Sequence, residues 1–347
     1  MKINYTINGK FLTQKITGPQ RCAREIIREL DDLILPGSIE ILVPPNMNTI
    51  PHYKNISVVR WGLGHGTLWE QIFYPLYLLI KHRDGINFCV APILKPDIAY
   101  VHDVLFQKNP TYCSKLYYLY ICLLTKNIIS RAKKIITVSM FSHDEIIEYY
   151  NISQKKIDVI SNAWQHLLRI DEDTNIFTTH PQLKKGNYLL ALGSLAPYKN
   201  HKWILENAKH NPDQQYVIAG GKFRSVHGNT VSCDSIPNIL YLGYVSDAEA
   251  KALMTHAKAF LFPSLYEGFG IPPLEALSCG TKIIVSDIPC MREIYGDGAY
   301  YINPSNPAIN LDNLLEVSVA NPNDILKKYD WHISAEKLYA LLDCERK

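Results

Sequence analysis

This 347-residue sequence contains no apolar run near the ~18 to 20 residues that a membrane-spanning helix needs. Its opening, MKINYTINGKFLTQK, lacks the apolar stretch of a secretory signal. There is no CxxC pair and no low-complexity tract, and nowhere do Lys and Arg concentrate into a patch. These absences argue against a spanning protein, a secreted disulfide framework, a zinc site and a nucleic-acid partner. The eight cysteines (Cys22, Cys89, Cys113, Cys122, Cys233, Cys279, Cys290, Cys344) are scattered, several within apolar runs. They are expected as reduced core residues of a cytosolic protein.

What remains is an ordinary globular composition, 47% hydrophobic and 20% charged, long enough for two domains of about 150 to 200 residues. Net charge is only +3 but uneven: residues 1–167 carry 19 Lys/Arg against 13 Asp/Glu, and the remainder 17 against 20. Either the first half faces something anionic or the difference is an uninformative surface feature.

The first half alternates strands and helices. Strands are expected at Lys2 to Ile7, Ile39 to Val43, Ser57 to Arg60, Phe88 to Ala91, Ile98 to Val101, Lys134 to Val138 and Ile157 to Ile160. Helical periodicity marks Arg21 to Ile34, Leu68 to Ile80, Tyr112 to Ser130 and Phe141 to Tyr150. From Asn162 to Gly186 the pattern gives way to acidic, Thr-rich, Pro-containing sequence, read as a linker. Alternation resumes with strands at Tyr188 to Leu192, Tyr216 to Ala219, Ile239 to Leu242, Ala259 to Phe262, Lys282 to Val285 and Tyr300 to Ile302. Helices are expected near His201 to Lys209, at Ser246 to His256 with Ser246 as N-cap, and at Ser334 to Leu342. The fold class is therefore α/β: two doubly wound, Rossmann-like domains, whose ligands bind at the C-terminal strand ends.

Chemistry concentrates in Pro263 to Gly280, PSLYEGFGIPPLEALSCG, read as strand end, Gly loop and helix start. Pro272 and Pro273 suit a first helical turn, and Gly280 a C-cap. Loop and helix-start N–H groups at such a place attract anions. Glu267 and Glu275 flank it, and carboxylates accept hydrogen bonds from vicinal hydroxyls instead. The loop GSLAPYKN, Gly193 to Asn200, follows the first strand of the second domain. Its Lys199 is either a solvated loop cation or a phosphate partner at the same sheet mouth. A ligand with a diphosphate and sugar hydroxyls on both sides satisfies the amides, Lys199 and both glutamates; a nucleotide sugar is such a ligand.

In the first domain, Gly18 either lets backbone approach a diphosphate or simply needs a positive φ. Arg21, one turn on, faces ligand or solvent. His102 and Asp103 follow a strand end, where a histidine is structural or touches ligand. GLGHG, Gly62 to Gly66, is read as a loop. The Tyr-rich stretch Tyr112 to Leu124 is read as core, with a membrane-interface element as the other reading.

These residues together resemble the family-4 retaining glycosyltransferases of GT-B fold, and the likeness covers nearly the whole chain. It is carried by E-x7-E in SLYEGFGIPPLEALSCG, by KIIVSDIPCMREIYGDGA and GSLAPYKN, by TGPQR, by the histidine of VHD, and by ITVSMFSHDEI before VISNA. The resemblance implies an acceptor-binding domain at 1–167, a nucleotide-sugar domain at 168–330, and a helix at 331–347 packing back on the first domain. It implies Glu267, Lys199 and His102 in catalysis: Glu267 on the transferred sugar, Lys199 on the departing diphosphate, His102 by donor sugar and acceptor. Glu275 would bind ribose hydroxyls. Gly18, Gly268, Phe269, Gly270, Ile271, Ser194, Asn200, Tyr244 and Val245 complete the donor set, with Arg21 and Asp103 as phosphate or acceptor residues.

Family members often place an arginine just after the glycine or just before the lysine of the Gly193 to Lys199 loop. Here those places hold Ser194 and Tyr198. No cofactor and no metal is implied; the donor is a GDP-, UDP- or dTDP-sugar. The opening FLTQKITGPQRCAREI is similar to members that build O-antigen or capsule. It implies a lipid-linked oligosaccharide acceptor, a cytoplasmic protein peripheral to an anionic membrane face, and no nucleic acid. Alternatives of the same fold are a nucleotide-sugar 2-epimerase and a non-catalytic sugar-nucleotide binder.

Overall fold

The computed structural model describes residues 4–89, 91–221 and 236–344. Thirteen strands are described: β1 Tyr5–Asn8, β2 Ile39–Val43, β3 Ser57–Arg60, β4 Asp84–Asn87, β5 Ile98–Tyr100, β6 Lys134–Thr137 and β7 Ile157–Val159 in the first half. The second half supplies β8 Tyr188–Leu192, β9 Gln215–Ala219, β10 Ile239–Gly243, β11 Ala259–Phe262, β12 Ile283–Ser286 and β13 Tyr300–Ile302. They form two wholly parallel sheets, ordered β3-β2-β1-β4-β5-β6-β7 and β10-β9-β8-β11-β12-β13. Parallel strands joined by helices are covered on both faces, so β1, β2, β11 and β12 are buried along their whole length.

The described chain divides into two compact units: parts of Met1–Gln107, Leu116–Asn162 and Trp331–Lys347 in one, Lys108–Lys115 and Ala163–Asp330 in the other. In the first, the helix Gly18–Leu33 starts on a Thr17/Gln20 capping box and buries Cys22, Ala23, Ile26, Ile27 and Leu30. The C-terminal helix Trp331–Cys344 packs on it. Tyr5 Oη donates to the Leu342 carbonyl at 2.9 Å, and Ser334 Oγ to the Ser161 carbonyl at 2.7 Å. In the second unit, β8, β9 and β11 close with the helix His201–His210 around Leu189, Trp203, Ile204, Tyr216 and Leu261.

Several expectations need correction. The strand expected at Phe88 to Ala91, of which Val90 lies outside the described residues, is described at Asp84–Asn87 instead. Residues Asp84 to Ile86 take the register opposite β1, and Phe88 is a buried ring stacked on Tyr100. The segment 162–186 is more than a linker: it carries a 3-10 turn Gln165–Arg169 and a helix Asn175–Thr179. Lys251 Nζ donates to the carbonyls of Leu167 and Ile170, fixing that turn in the second unit. The helix expected from Leu68 starts at Gly66 and passes through a π turn, Trp69–Phe73, before Tyr74–Lys81. The Tyr-rich helix is Lys115–Arg131 and is largely exposed rather than core. Cys344 is exposed, the other described cysteines are buried or half-buried and all are free; Cys233 lies outside the described residues, as do Lys2 and Ile3 of the first expected strand. Among the described residues no helix is long and apolar enough to cross a membrane.

Candidate functional site

At the C-terminal end of the second sheet, two loops meet. The first follows β8 as Gly193 to Asn200; the second follows β11 as Pro263 to Gly270. Leu265 N–H donates to the Tyr198 carbonyl at 2.7 Å. Asn200, in the left-handed region at φ 56°, donates through Nδ2 to the carbonyls of Pro263 (3.0 Å) and Pro304 (2.9 Å). These bonds hold Lys199 in place: its Nζ is 2.7 Å from Glu267 Oε1 and 4.7 Å from the centre of the Phe262 ring. Both partners are largely buried, with side chains 16% and 11% exposed. Lys199 and Glu267 thus form one charged unit against an aromatic floor.

Gly270 caps the helix Ile271–Ser278 at φ 85°, and a Cβ there would lie 2.8 Å from Met291 Cε. Any side chain at that position is strained by its φ and crowded as well. The buried Tyr295 hydroxyl donates to the Gly270 carbonyl, fixing the turn from below. Among the described residues the N–H groups of Phe269, Gly270 and Ile271 make no backbone hydrogen bond beyond the helix itself. The Phe269 and Ile271 side chains are buried, Phe269 edge-on to Tyr329, so only their backbone is offered to a ligand. Gly268 lies buried beside them. This is a helix N-terminus that follows directly on the loop holding the Lys199–Glu267 pair, a good place for a phosphate.

Glu275 lies one turn into that helix. Its Oε1 is 2.7 Å from His166 Nε2, and the His166 side chain is 1% exposed. His166 comes from the 3-10 turn Gln165–Arg169, which Trp164 Nε1 and Gln165 Nε2 anchor on the carbonyls of Leu326 and Tyr329. Sequence reasoning missed this histidine, because nothing in the composition of 162–186 sets one His apart.

The neighbouring strand ends are bare backbone. Gly193 N–H bonds the Ala219 carbonyl at 2.9 Å and Gly220 N–H the Gly243 carbonyl at 2.6 Å. A Cβ on Gly220 would lie 1.7 Å from the Gly193 oxygen, so β8 and β9 end too close together for any side chain. The Gly220-Gly221 pair directly after β9 is the sequence signal for this. Ser194 is half-buried in this row, while Tyr244 (78% exposed) and Val245 follow the end of β10.

His201 starts the next helix, and its Nε2 donates to the Ser194 carbonyl at 3.1 Å while Nδ1 is buried with no partner. Burial pushes its pKa down to about 4, with the Ser194 carbonyl opposing and Lys199 assisting. An unfolded histidine protonates near 6.5, so the unfolded chain binds the extra proton first. Stability from this residue is complete above pH 6.5 and is lost as pH falls from there towards 4. We expect urea unfolding at pH 5 to show about 2 kcal/mol less stability than at pH 7 from this group, a loss that His201→Gln removes. Equal pH slopes in the two proteins would contradict the assignment.

In the first unit, Gly18 is the exposed first residue of its helix and has no positive φ. Its conformation therefore does not require glycine, and Arg21 sits half-buried one turn on. His102 follows β5, with Nε2 2.8 Å from the Phe88 carbonyl. Burial lowers its pKa and that carbonyl opposes the shift, so the ring is neutral, Nε2 carries the proton and Nδ1 is an acceptor. Phe11, Phe88, Tyr100 and His102 form an aromatic row linking the loop after β1 to His102. Asp103 Oδ1 accepts from Leu105 N–H at 3.0 Å and starts a helical turn. In the first unit His102 and Asp103 follow β5 while Gly18 and Arg21 begin the helix Gly18–Leu33; the remaining predicted residues lie in the loops after β8, β10 and β11 of the second unit and in the helix starting at Ile271.

Residues 172–323, which include the Lys199–Glu267 pair, match the family of glycosyl transferases group 1. The O-antigen chain mannosyltransferase RfbU of Salmonella typhimurium strain LT2 is 31% identical over 280 residues, 76% of each chain. The chain belongs to the group 1 glycosyltransferases. A second relative of this glycosyltransferase, the O-antigen chain mannosyltransferase B of Escherichia coli, is 27% identical over 266 residues, 71% of this chain and 70% of its own. Among solved structures, sucrose-phosphate synthase from Thermosynechococcus elongatus superposes with a TM-score of 0.73 at 14% identity, covering 99% of this chain and 98% of that one. The fold of the glycosyltransferase is GT-B, with two Rossmann-like sheets of parallel strands.

Proposed function

We propose that this glycosyltransferase moves a mannosyl residue, with retention, from a nucleotide-diphosphate sugar to a lipid-linked oligosaccharide in bacterial surface polysaccharide synthesis. The observation that carries the reading is the Lys199–Glu267 pair in the two loops that meet at the second sheet's strand ends, followed directly by the helix start at Phe269 to Ile271. The O-antigen mannosyltransferase relatives support the sugar and the pathway class. In this reading the donor C1–O bond to phosphate breaks as the acceptor oxygen bonds C1 on the same face. The acceptor proton passes to the departing phosphate oxygen. Lys199 and the helix-start N–H groups stabilise the charge gathering there, with no metal required. Glu267 accepts from hydroxyls of the transferred sugar, Glu275 from the ribose, and Ser194, Asn200, Gly268, Tyr244 and Val245 shape the donor site. Gly18, Arg21, His102 and Asp103 are the first unit's candidates for phosphate or acceptor. The enzyme works at the cytoplasmic face of an anionic membrane.

Thermal-shift measurement with GDP-, UDP- and dTDP-sugars tests the donor, since a ligand that binds only the folded state raises the melting temperature. GDP-mannose is expected to give the largest shift, and the shift is expected to shrink in Lys199→Ala. Absence of stabilisation by every nucleotide sugar would overturn the donor assignment.

His166 makes a sharper case. If Glu275 holds the ribose, His166 sets its carboxylate, and His166→Phe should raise the donor KM about tenfold with kcat little changed. His166→Gln, which keeps a donor, should recover most of the affinity. A fall in kcat at unchanged KM would place Glu275 elsewhere in the reaction.

A further inference from the structure

The first unit exposes an apolar surface that the fold does not use. On the helix Lys115–Arg131, Leu116 is 80% exposed, Leu123 69% and Leu119 57%, with Tyr117 and Tyr120 beside them at 41% and 36%. On the run from Gly66 to Lys81, Leu68, Ile72, Leu76, Leu79 and Ile80 are each 43% to 57% exposed. The two helices adjoin. Between them, the turn at Ile93 and Leu94, both about half exposed, receives bonds from both sides. Ile93 N–H donates to Gln71 Oε1 at 2.9 Å, and Asn127 Nδ2 donates to the Ile93 carbonyl at 2.8 Å. Tyr120 also lies against Thr67. Scattered exposed leucines need no explanation, but a contiguous patch of this kind marks an interaction surface.

Charge says what covers it. The helix Lys115–Arg131 holds Lys115, Lys126 and Arg131 and no acidic residue. The run Gly66 to Lys81 has one, Glu70, which is buried and bonded to Lys10 Nζ at 2.6 Å. Asp84 nearby is paired with Lys133 at 2.6 Å. Lys81, Lys115, Lys126 and Arg131 are exposed around the apolar centre. Glu145 and Glu148 of the adjoining helix Met140–Tyr150, whose Tyr149 meets Tyr118, bound this stretch on one side. Leucines at the centre, tyrosines between, and exposed Lys81, Lys115, Lys126 and Arg131, with the exposed acids Asp144 and Glu148 confined to the bordering helix Met140–Tyr150, match the layers of an anionic bilayer surface.

We infer that this face, the helix Lys115–Arg131 with the run Gly66 to Lys81 and the turn at Ile93, seats the protein on an anionic lipid membrane. Aliphatic side chains enter the headgroup boundary, and the four basic residues meet lipid phosphates. The inference deepens the lipid-linked acceptor reading, and its test needs neither donor nor turnover, so its failure leaves the transferase reading standing. The full chain is sedimented with phosphatidylcholine vesicles, with and without about one-third phosphatidylglycerol. Binding to the anionic vesicles alone, weakened several-fold by raising salt from 50 to about 200 mM, is expected. Leu116→Ser with Leu123→Ser should cut that binding at least tenfold, and Lys115→Glu with Lys126→Glu should do the same. Leu168→Ser, an equally exposed leucine of the second unit, should leave it unchanged. Unchanged melting temperatures show that the variants fold. No binding to anionic vesicles at low salt, or equal binding by the patch variants, would overturn the inference. So would a dimer that dissociates on Leu116→Ser with Leu123→Ser, since the face would then be an interface between copies.

Discussion

Lys199→Ala is expected to lower turnover about 100-fold or more with the fold intact. Removing one preorganised donor to a developing oxyanion commonly costs on the order of 3 kcal/mol of transition-state stabilisation. Lys199 fits that description in its surroundings. Its ammonium is held by Glu267 at 2.7 Å and lies over Phe262, and the Tyr198 ring stands 5.3 Å away. Little reorganisation is then needed as the phosphate leaves. The loop Gly193 to Asn200 carries Lys199 as its one Lys or Arg, with Ser194 and Tyr198 at the neighbouring polar positions, so the proposed charge neutralisation from this loop rests on Lys199. Steady-state kcat, read beside a melting curve, checks it; near-normal turnover in Lys199→Ala would remove Lys199 from the chemistry.

Glu267→Ala is expected to reduce turnover by a similar factor, for two reasons that can be separated. In the proposed reading the variant loses an acceptor for sugar hydroxyls, and it releases the lysine that Glu267 holds. Residues that act as one unit give strongly non-additive losses. The double variant Lys199→Ala/Glu267→Ala should therefore be little slower than either single variant. Glu267→Gln, which keeps the shape and one acceptor oxygen but not the charge, should fall between wild type and Glu267→Ala. Losses that multiply in the double variant would show that the ion pair is incidental and that each residue meets the substrate independently.

Much of this site was legible in the sequence because it is local. Strand Ala259–Phe262, the EGFG turn and the helix beginning at Ile271 follow from an apolar run, a glycine and two prolines in sequence. The parallel sheets followed from alternation alone, since a strand–helix–strand unit has few ways to bury both faces. What escaped was long-range. The pairing of Lys199 with Glu267 joins residues 68 positions apart, and that of His166 with Glu275 joins residues 109 apart. No spacing rule reports such contacts. The Tyr-rich helix was misread for a related reason. Apolar character all round a helix signals burial in a globular core, and the same composition serves a helix that stays exposed. Likewise the apolar stretch from Phe88 looked like a strand, whereas pairing with β1 takes the less apolar residues just before it.

The most direct test of the account is to give the enzyme a mannose nucleotide with and without a lipid-linked oligosaccharide and to assign the new glycosidic centre by NMR. No change in the donor alone is expected. With acceptor, the expected product has an anomeric configuration equal to that of the donor. An inverted anomeric centre would contradict the proposed front-face attack, and a donor epimerised without acceptor would contradict glycosyl transfer by this site.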